Sequence, residues 1–288
     1  MFALGKQWLE TDKAGVTMTT SSKPTMESTG AIPLPPKAIV PFFYKYSSLA
    51  SPEHMERLRI IIQEHELYLP NLDQLNDPAD GRPRLAPLSE EEMSRFLYEK
   101  LVQRSPNMSR VQLEREKAII YYNVPRHGTK VLHRNLTEIL HAELKDYRIY
   151  SMSKRVDNLN LWAKYAGDHS GYCLEFANEG PLFEKAREVL YEDSLQMDVN
   201  NPDHTNGFWF FCKRPEWSNE EEVRLVLPRG MGSKVKLEPR WLNRLILGKS
   251  ISAQNEDTIR AWSRQRVPEL PVVKARYDAV DRAIILGP

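Results

Sequence analysis

The segment Trp217-Ser218-Asn219-Glu220-Glu221-Glu222-Val223-Arg224 brings together side chains able to do chemistry. An extended strand turns successive side chains to opposite faces. That alternation predicts Val223, Leu225 and Leu227 on a core face, with Glu220, Glu222 and Arg224 together on the other. Two carboxylates and a guanidinium beside an indole would floor a charged cleft. Such a floor suits proton transfer or the stabilisation of a developing positive charge. A solvated edge strand with an Arg–Glu pair is the plainer alternative.

Further residues could serve the same cleft. Lys45 stands between Tyr44 and Tyr46 on a predicted strand, FFYKYSS, where it could meet a phosphate or decorate an edge. Ser151 and Ser153 point the same way from the strand YRIYSMSKR, as turn polar groups or as ligands. Trp162 and Tyr165 share a helix face at i, i+3, as core anchors or as a stacking platform. The seven histidines are scattered, without HExxH or a His/Cys pair at ligand spacing, so no metal is expected. His133 and His141 read as the solvated face of a helix. GxGxxG and the P-loop motif are both absent, which argues against a dinucleotide-binding Rossmann domain and a P-loop enzyme.

The elements that must position these residues are those of an α+β protein. Ser51-Pro52-Glu53 opens a helix, and two more helical patterns cover about 89–104 and 109–123. Asn135 and Glu138 have capping-box spacing, Asn158 can cap the helix bearing Trp162, and a helix is expected near 181–189. Strands are predicted at GYCLEFA, VLYED, EVRLVLP, WLNRLILG, PVVKARYD and RAIIL, with Ser252 capping an intervening helix. Without clean βαβ units, the pattern favours a single mixed, mostly antiparallel sheet with flanking helices. Residues 1–37, rich in Ser, Thr and Pro, read as a disordered tail ahead of one α+β domain over 38–288.

Composition narrows the function. With 40 Lys+Arg against 39 Asp+Glu in 288 residues, the chain does not coat nucleic acid in bulk. Two cysteines without CxxC support neither a disulfide scaffold nor a zinc ribbon. No apolar run approaches the ~18 residues of a membrane-spanning helix, and no secretory signal is evident, so a cytoplasmic protein without membrane contact is expected.

Tyr44-Lys45-Tyr46, Asn76-Asp77-Pro78, Ser151-Met152-Ser153, Trp162-x-x-Tyr165, Gly171-x-Cys173-x-x-Phe176, Lys213 ahead of Trp217-x-x-Glu220-x-Glu222-x-Arg224, and Ile246-Leu247-Gly248 occur in that order. The series resembles a widespread bacterial family of undefined function found near phage-defence or toxin-type genes. The likeness covers roughly residues 38–250. Ala79 stands where that family usually has an aromatic residue. More distantly, a basic residue on the first strand, then Ser-x-Ser, then Glu-x-Glu is similar to the arrangement in ADP-ribosyltransferases, although Lys45 replaces their usual Arg or His. This second resemblance implies an ADP-ribosyltransferase-like fold using NAD as substrate and modifying a protein or nucleic acid, as a toxin or defence effector. It implies that Glu222 supports the ribose and Glu220 orients or deprotonates the acceptor. Lys45 would meet the pyrophosphate, and Tyr46, Trp162 or Tyr165 would stack on the nicotinamide. Ser151 and Ser153, or Asn76 in their place, would bind the cofactor, and Arg224 would do so or hold the carboxylates. Two alternatives stay open. One is a non-catalytic sensor or interaction domain, and the other a metal-dependent nuclease using Asp77, Glu220 and Glu222.

Overall fold

The computed structural model describes residues 34–192, 196–197, 207–228, 230–278 and 283–286. Residues 1–33 of the expected tail therefore lie outside the described residues. The tail's last residues are tied down: the Glu188 amide donates to the Pro36 carbonyl at 3.1 Å, and Lys37 bridges Arg187.

In chain order the first elements are β1 (Phe42–Ser47), α1 (Pro52–Arg59), β2 (Glu66–Tyr68), β3 (Arg84–Leu85), α2 (Glu90–Arg104), α3 (Arg110–His127) and α4 (Thr129–Leu144). Then come β4 (Arg148–Ser153), α5 (Leu159–Lys164), β5 (Tyr172–Ala177), α6 (Gly180–Phe183), β6 (Arg187–Glu188), β7 (Leu190–Tyr191) and β8 (Gln196–Met197). The rest are β9 (Cys212–Lys213), β10 (Glu222–Leu227), β11 (Lys234–Lys236), β12 (Leu242–Leu247), α7 (Ala253–Gln265), β13 (Val272–Asp278) and β14 (Ala283–Leu286). These group into two compact units.

The sheet unit consists of the described parts of Pro35–Asp80, Tyr147–Asp193 and Phe210–Pro288. Its eight-stranded sheet runs β14-β13-β12-β5-β1-β4-β10-β6. Neighbours are antiparallel except β12 and β13, which are parallel, so the sheet is mixed and mostly antiparallel. The expected alternation is realised. Phe43, Tyr150, Met152, Leu174, Phe176, Val223 and Leu225 are buried in one core cluster, while Tyr46, Trp162, Cys173 and Ile246 are buried in another. Each such side chain contributes roughly 1.5–3 kcal/mol. A one-residue slip would turn the whole set outward, so the register is strongly specified.

The local signals act where expected. The Ser51 hydroxyl accepts from the His54 amide at the start of α1, and Asn158 accepts from Asn160 and Leu161 at the start of α5. One expectation fails in this unit. The helix near 181–189 stops after the single turn of α6, because Arg187 and Glu188 pair with β10 instead. Sheet pairing overrides helix propensity there.

The helical unit consists of the described parts of Met1–Leu34, Gly81–Asp146 and Ser194–Trp209. Ser89 with Glu92 and Ser109 with Gln112 form reciprocal capping boxes for α2 and α3. Asn135 is not a cap. Gly128 at φ 78 ends α3, and α4 begins at once with Thr129, leaving Asn135 and Glu138 inside it. His133 and His141 are not a solvated face either, since their rings contact the Leu85, Ala86 and Pro83 carbonyls at 3.2–3.3 Å. Among the described residues, no helix is long and apolar enough to cross a membrane.

Two loops of the sheet unit meet so closely that only glycine fits. The Gly248 amide donates to the Gly171 carbonyl at 2.8 Å, and a Cβ on Gly248 would collide with the His169 carbonyl. Gly248→Ala is expected to cost about 1–3 kcal/mol through this overpacking, read from urea denaturation. An unchanged midpoint would show that the turn at His169 yields freely.

Candidate active site

The strand β10 begins at Glu222, not at Glu220 as alternation predicted. Pro215–Glu220 form a 3-10 helix, and Glu221 follows in the left-handed region at φ 44. This reversal still brings Glu220 beside Glu222. The Ser153 hydroxyl donates to the Glu220 carbonyl at 2.8 Å, which fixes the turn against β4. Glu222 pairs across the ladder with Ser153, and Arg224 with Ser151.

Cations bind the acids together. The Lys213 ammonium donates to Glu220 Oε2 at 2.6 Å and to Glu222 Oε2 at 2.8 Å. Arg224, fully buried, donates through Nε to Glu222 Oε1 and through Nη2 to Asp80 Oδ2, both at 2.7 Å. Its remaining arm reaches the Phe210 carbonyl at 2.7 Å. Burial alone would raise the Glu222 carboxyl, but Arg224 and then Lys213 overcome it and hold the group down at about 2. Burial alone would lower the Lys213 ammonium, and Glu222 and Glu220 reverse that and push it up.

A cavity of about 220 Å³ opens over this cluster. Its walls include Tyr44, Lys45 and Tyr46 of β1, Ser151 and Ser153 of β4, and Tyr165, Asn76 and Asp80 beside the two glutamates. Tyr165 donates to Glu220 Oε1 at 2.8 Å and accepts from Asn76 at 3.3 Å. Lys164 lies 3.6 Å from the same carboxylate oxygen and 3.4 Å over the Trp217 ring.

Lys45 reaches this cavity in an unexpected way. Its strand partner is Leu174, whereas Tyr44 pairs with Ser153, so Lys45 leaves the sheet on the side opposite Glu222. The side chain passes the Tyr150 ring at 5.0 Å, and the ammonium donates to the Ser151 carbonyl at 2.8 Å. Burial lowers its pKa, with Glu222 and Glu220 opposing. Its ammonium is thus engaged by the backbone of β4 while the residue lines the cavity.

Several predicted site residues are engaged by other partners. Trp162 is fully buried, donates to the Val156 carbonyl at 2.8 Å and does not line the cavity. Two residues sharing a helix face need not both reach the same surface. Tyr165 caps the C-terminal end of α5 and turns its hydroxyl to Glu220, while Trp162 enters the core. Arg224 lies beneath Glu222 and supports it. Tyr46 lines the cavity, but its hydroxyl donates to the Arg155 carbonyl at 2.7 Å. Asp77 accepts from the Ala79 amide at 2.9 Å and from Arg214 at 3.3 Å. Among the described residues, no group of three or more His, Cys, Asp and Glu is arranged to hold a metal ion.

Lys213 and Asp80 were not singled out as site residues from the sequence. Lys213 carried one usable signal, a lysine just upstream of the glutamates; Asp80 carried none. It lies 144 positions from the arginine it binds.

The depressed Glu222 carboxyl makes a stability prediction. A group whose folded pKa lies below its ordinary 4.5 stabilises the fold above that pH, and the contribution is lost as pH falls toward 2. Acid titration should therefore remove about 3 kcal/mol between those limits through this group alone. Urea midpoints measured from pH 6 to pH 2.5 should fall less steeply in Glu222→Gln than in the wild type.

Compared with protein-family models, curated proteins and solved structures, the chain matches none.

Proposed function

We propose that the sheet unit is an NAD-dependent ADP-ribosyltransferase-like enzyme, with the cavity over Glu222 as its reaction centre. The observation carrying this reading is the pair of carboxylates, Glu220 and Glu222, in the wall of one cavity with Glu222 held ionised by Arg224 and Lys213. Three carboxylates, counting Asp80, face the two cations Lys213 and Arg224 before Lys45 is included. With Lys45 counted, three cations balance the three acids, so it is the ionised Glu222 carboxylate itself, and not a net charge of the wall, that favours the oxocarbenium-like ribose formed as nicotinamide departs. At about 220 Å³, the cavity is smaller than the ~300–1,000 Å³ of drug-sized ligand pockets. It suits the nicotinamide–ribose end of the dinucleotide better than the whole molecule.

In this reaction the bond between ribose C1′ and the nicotinamide nitrogen breaks, its electron pair leaving with nicotinamide. Glu222 stabilises the positive charge on the ribose. The acceptor's nucleophilic atom bonds to C1′, and its proton passes to Glu220. Tyr165 keeps Glu220 oriented through its 2.8 Å hydrogen bond. Lys164 offers an exposed charge for the pyrophosphate, whereas the Lys45 ammonium is already engaged by the Ser151 carbonyl.

The test is incubation with NAD labelled in its adenylate half and cell lysate, wild type beside Glu222→Gln. Nicotinamide release and label transfer by the wild type, both lost in the variant, are expected. Neither signal in the wild type overturns the reading. A second reading rests on the ion pairs themselves: Glu222 and Arg224 could serve a non-catalytic binding domain. Saturable NAD binding without nicotinamide release would favour that alternative.

A further inference from the structure

Glu222 is held by a piece of structure outside its own sheet. The short strands β7 and β9 pair in parallel, with Tyr191 opposite Lys213. Both residues of that registered pair contact Glu222. The Tyr191 hydroxyl accepts from the Glu222 backbone amide at 2.7 Å, and the Lys213 ammonium binds its carboxylate. The same ammonium binds Glu220 and lies 4.9 Å from the Trp217 ring. We propose that Lys213 is a positioning residue, presented by the β7–β9 ribbon, that sets the spacing of the two glutamates and keeps Glu222 charged. For turnover, this inference rests on the transferase reading; for Glu222 itself it does not.

The geometry leaves Lys213 little other purpose. It is buried with its donors directed at two carboxylates, and a third, Asp80 Oδ2, lies at 4.0 Å. Carboxylates so close together repel unless a cation stands between them. Arg224 occupies the inner side of Glu222 and Lys213 the side toward Glu220. The other groups that act on Glu222 are Glu220 from the preceding turn, Asp80 from the loop before β3, and Lys45 from β1. Tyr165 from α5 and Tyr191 from β7 complete the set, both remaining neutral. Without Lys213 the cluster holds three acids against Arg224 and the half-buried Lys45, and Glu222 takes up a proton more readily.

The experiment follows the Glu222 carboxyl by NMR in the folded full chain labelled at glutamate, its signal assigned from Glu222→Gln. In the wild type it should stay ionised to the lowest pH at which the chain is folded. In Lys213→Met its titration should move up by at least about one pH unit, and Lys213→Arg should restore it. Lys213→Gln, which keeps hydrogen-bond donors but not the charge, covers a methionine variant that fails to fold. An unchanged Glu222 titration in a folded neutral variant overturns the proposal. With NAD turnover as a second readout, the acid limb of kcat/KM should shift by the same amount. A loss uniform across pH would make Lys213 merely structural and also overturns it. Absence of turnover in every form would defeat the transferase reading while the carboxyl titration still decides the role of Lys213.

Discussion

Arg224→Met should lower the stability of the sheet unit by about 3–5 kcal/mol, the cost of removing one partner from a buried ion pair. The side chain is fully buried and satisfies Glu222, Asp80 and the Phe210 carbonyl. Methionine fills much of the volume but donates nothing. Asp80 then loses its 2.7 Å contact, and Glu222 keeps Lys213 as its direct ion-pair partner. Since domains are stable by only about 5–15 kcal/mol, the variant should be marginal at 25 °C. Urea denaturation at pH 7 measures the loss. Arg224→Lys should fall between the two, because an ammonium keeps the charge without the fork that reaches three acceptors. A loss under about 1 kcal/mol for Arg224→Met would mean the network contributes little. Replacing Asp80, Glu222 and Arg224 together by Asn, Gln and Met should recover part of the loss, because no uncompensated charge then stays buried.

Glu222→Gln should reduce nicotinamide release about 10²–10³-fold, comparable to removing one preorganised electrostatic group from a dry site. Glutamine has the same shape, so the register with Ser153 and the Tyr191 contact to its backbone amide should persist. What changes is charge. The amide cannot offset a positive ribose, and its NH₂ faces Lys213 or Arg224, which are themselves donors. Some stability is therefore lost as well, and activity must be compared at a temperature where circular dichroism shows both proteins folded. Glu220→Gln separates the two glutamates. If Glu220 serves the acceptor, its loss should suppress label transfer more than hydrolysis of NAD. Equal suppression of both would mean that Glu220 acts at the ribose instead.

Legibility of the site follows how local each feature is. The face shared by Glu222 and Arg224 could be read because strand alternation needs only two residues of context. The convergence of Glu220 on the same spot could not, because it depends on Glu221 adopting a left-handed conformation that side chains other than glycine rarely take. Lys45 was placed on β1 correctly, yet its function within the cluster turns on strand pairing. Its opposite-face exit becomes visible only once Leu174 and Ser153 are known as the partners of Lys45 and Tyr44. Trp162 and Tyr165 shared a face as the spacing required, but only the packing around Val156 and Glu220 separated a core anchor from a cavity wall.

The sequence by itself determined the longer strands, the helices capped by Ser51, Asn158 and Ser252, and the α+β class, since these rest on side-chain periodicity and backbone capping within a few residues. It also determined that one carboxylate, Glu222, and an arginine, Arg224, share a face of β10. Only the tertiary structure decided which cations hold them. Asp80, Lys213 and Arg224 come from three separate stretches, Asp80 from a loop 144 positions before the arginine and Lys213 from a two-stranded ribbon 11 positions before it. Charges in a buried cluster interact through space, so their balance is a property of the folded arrangement and of no single segment.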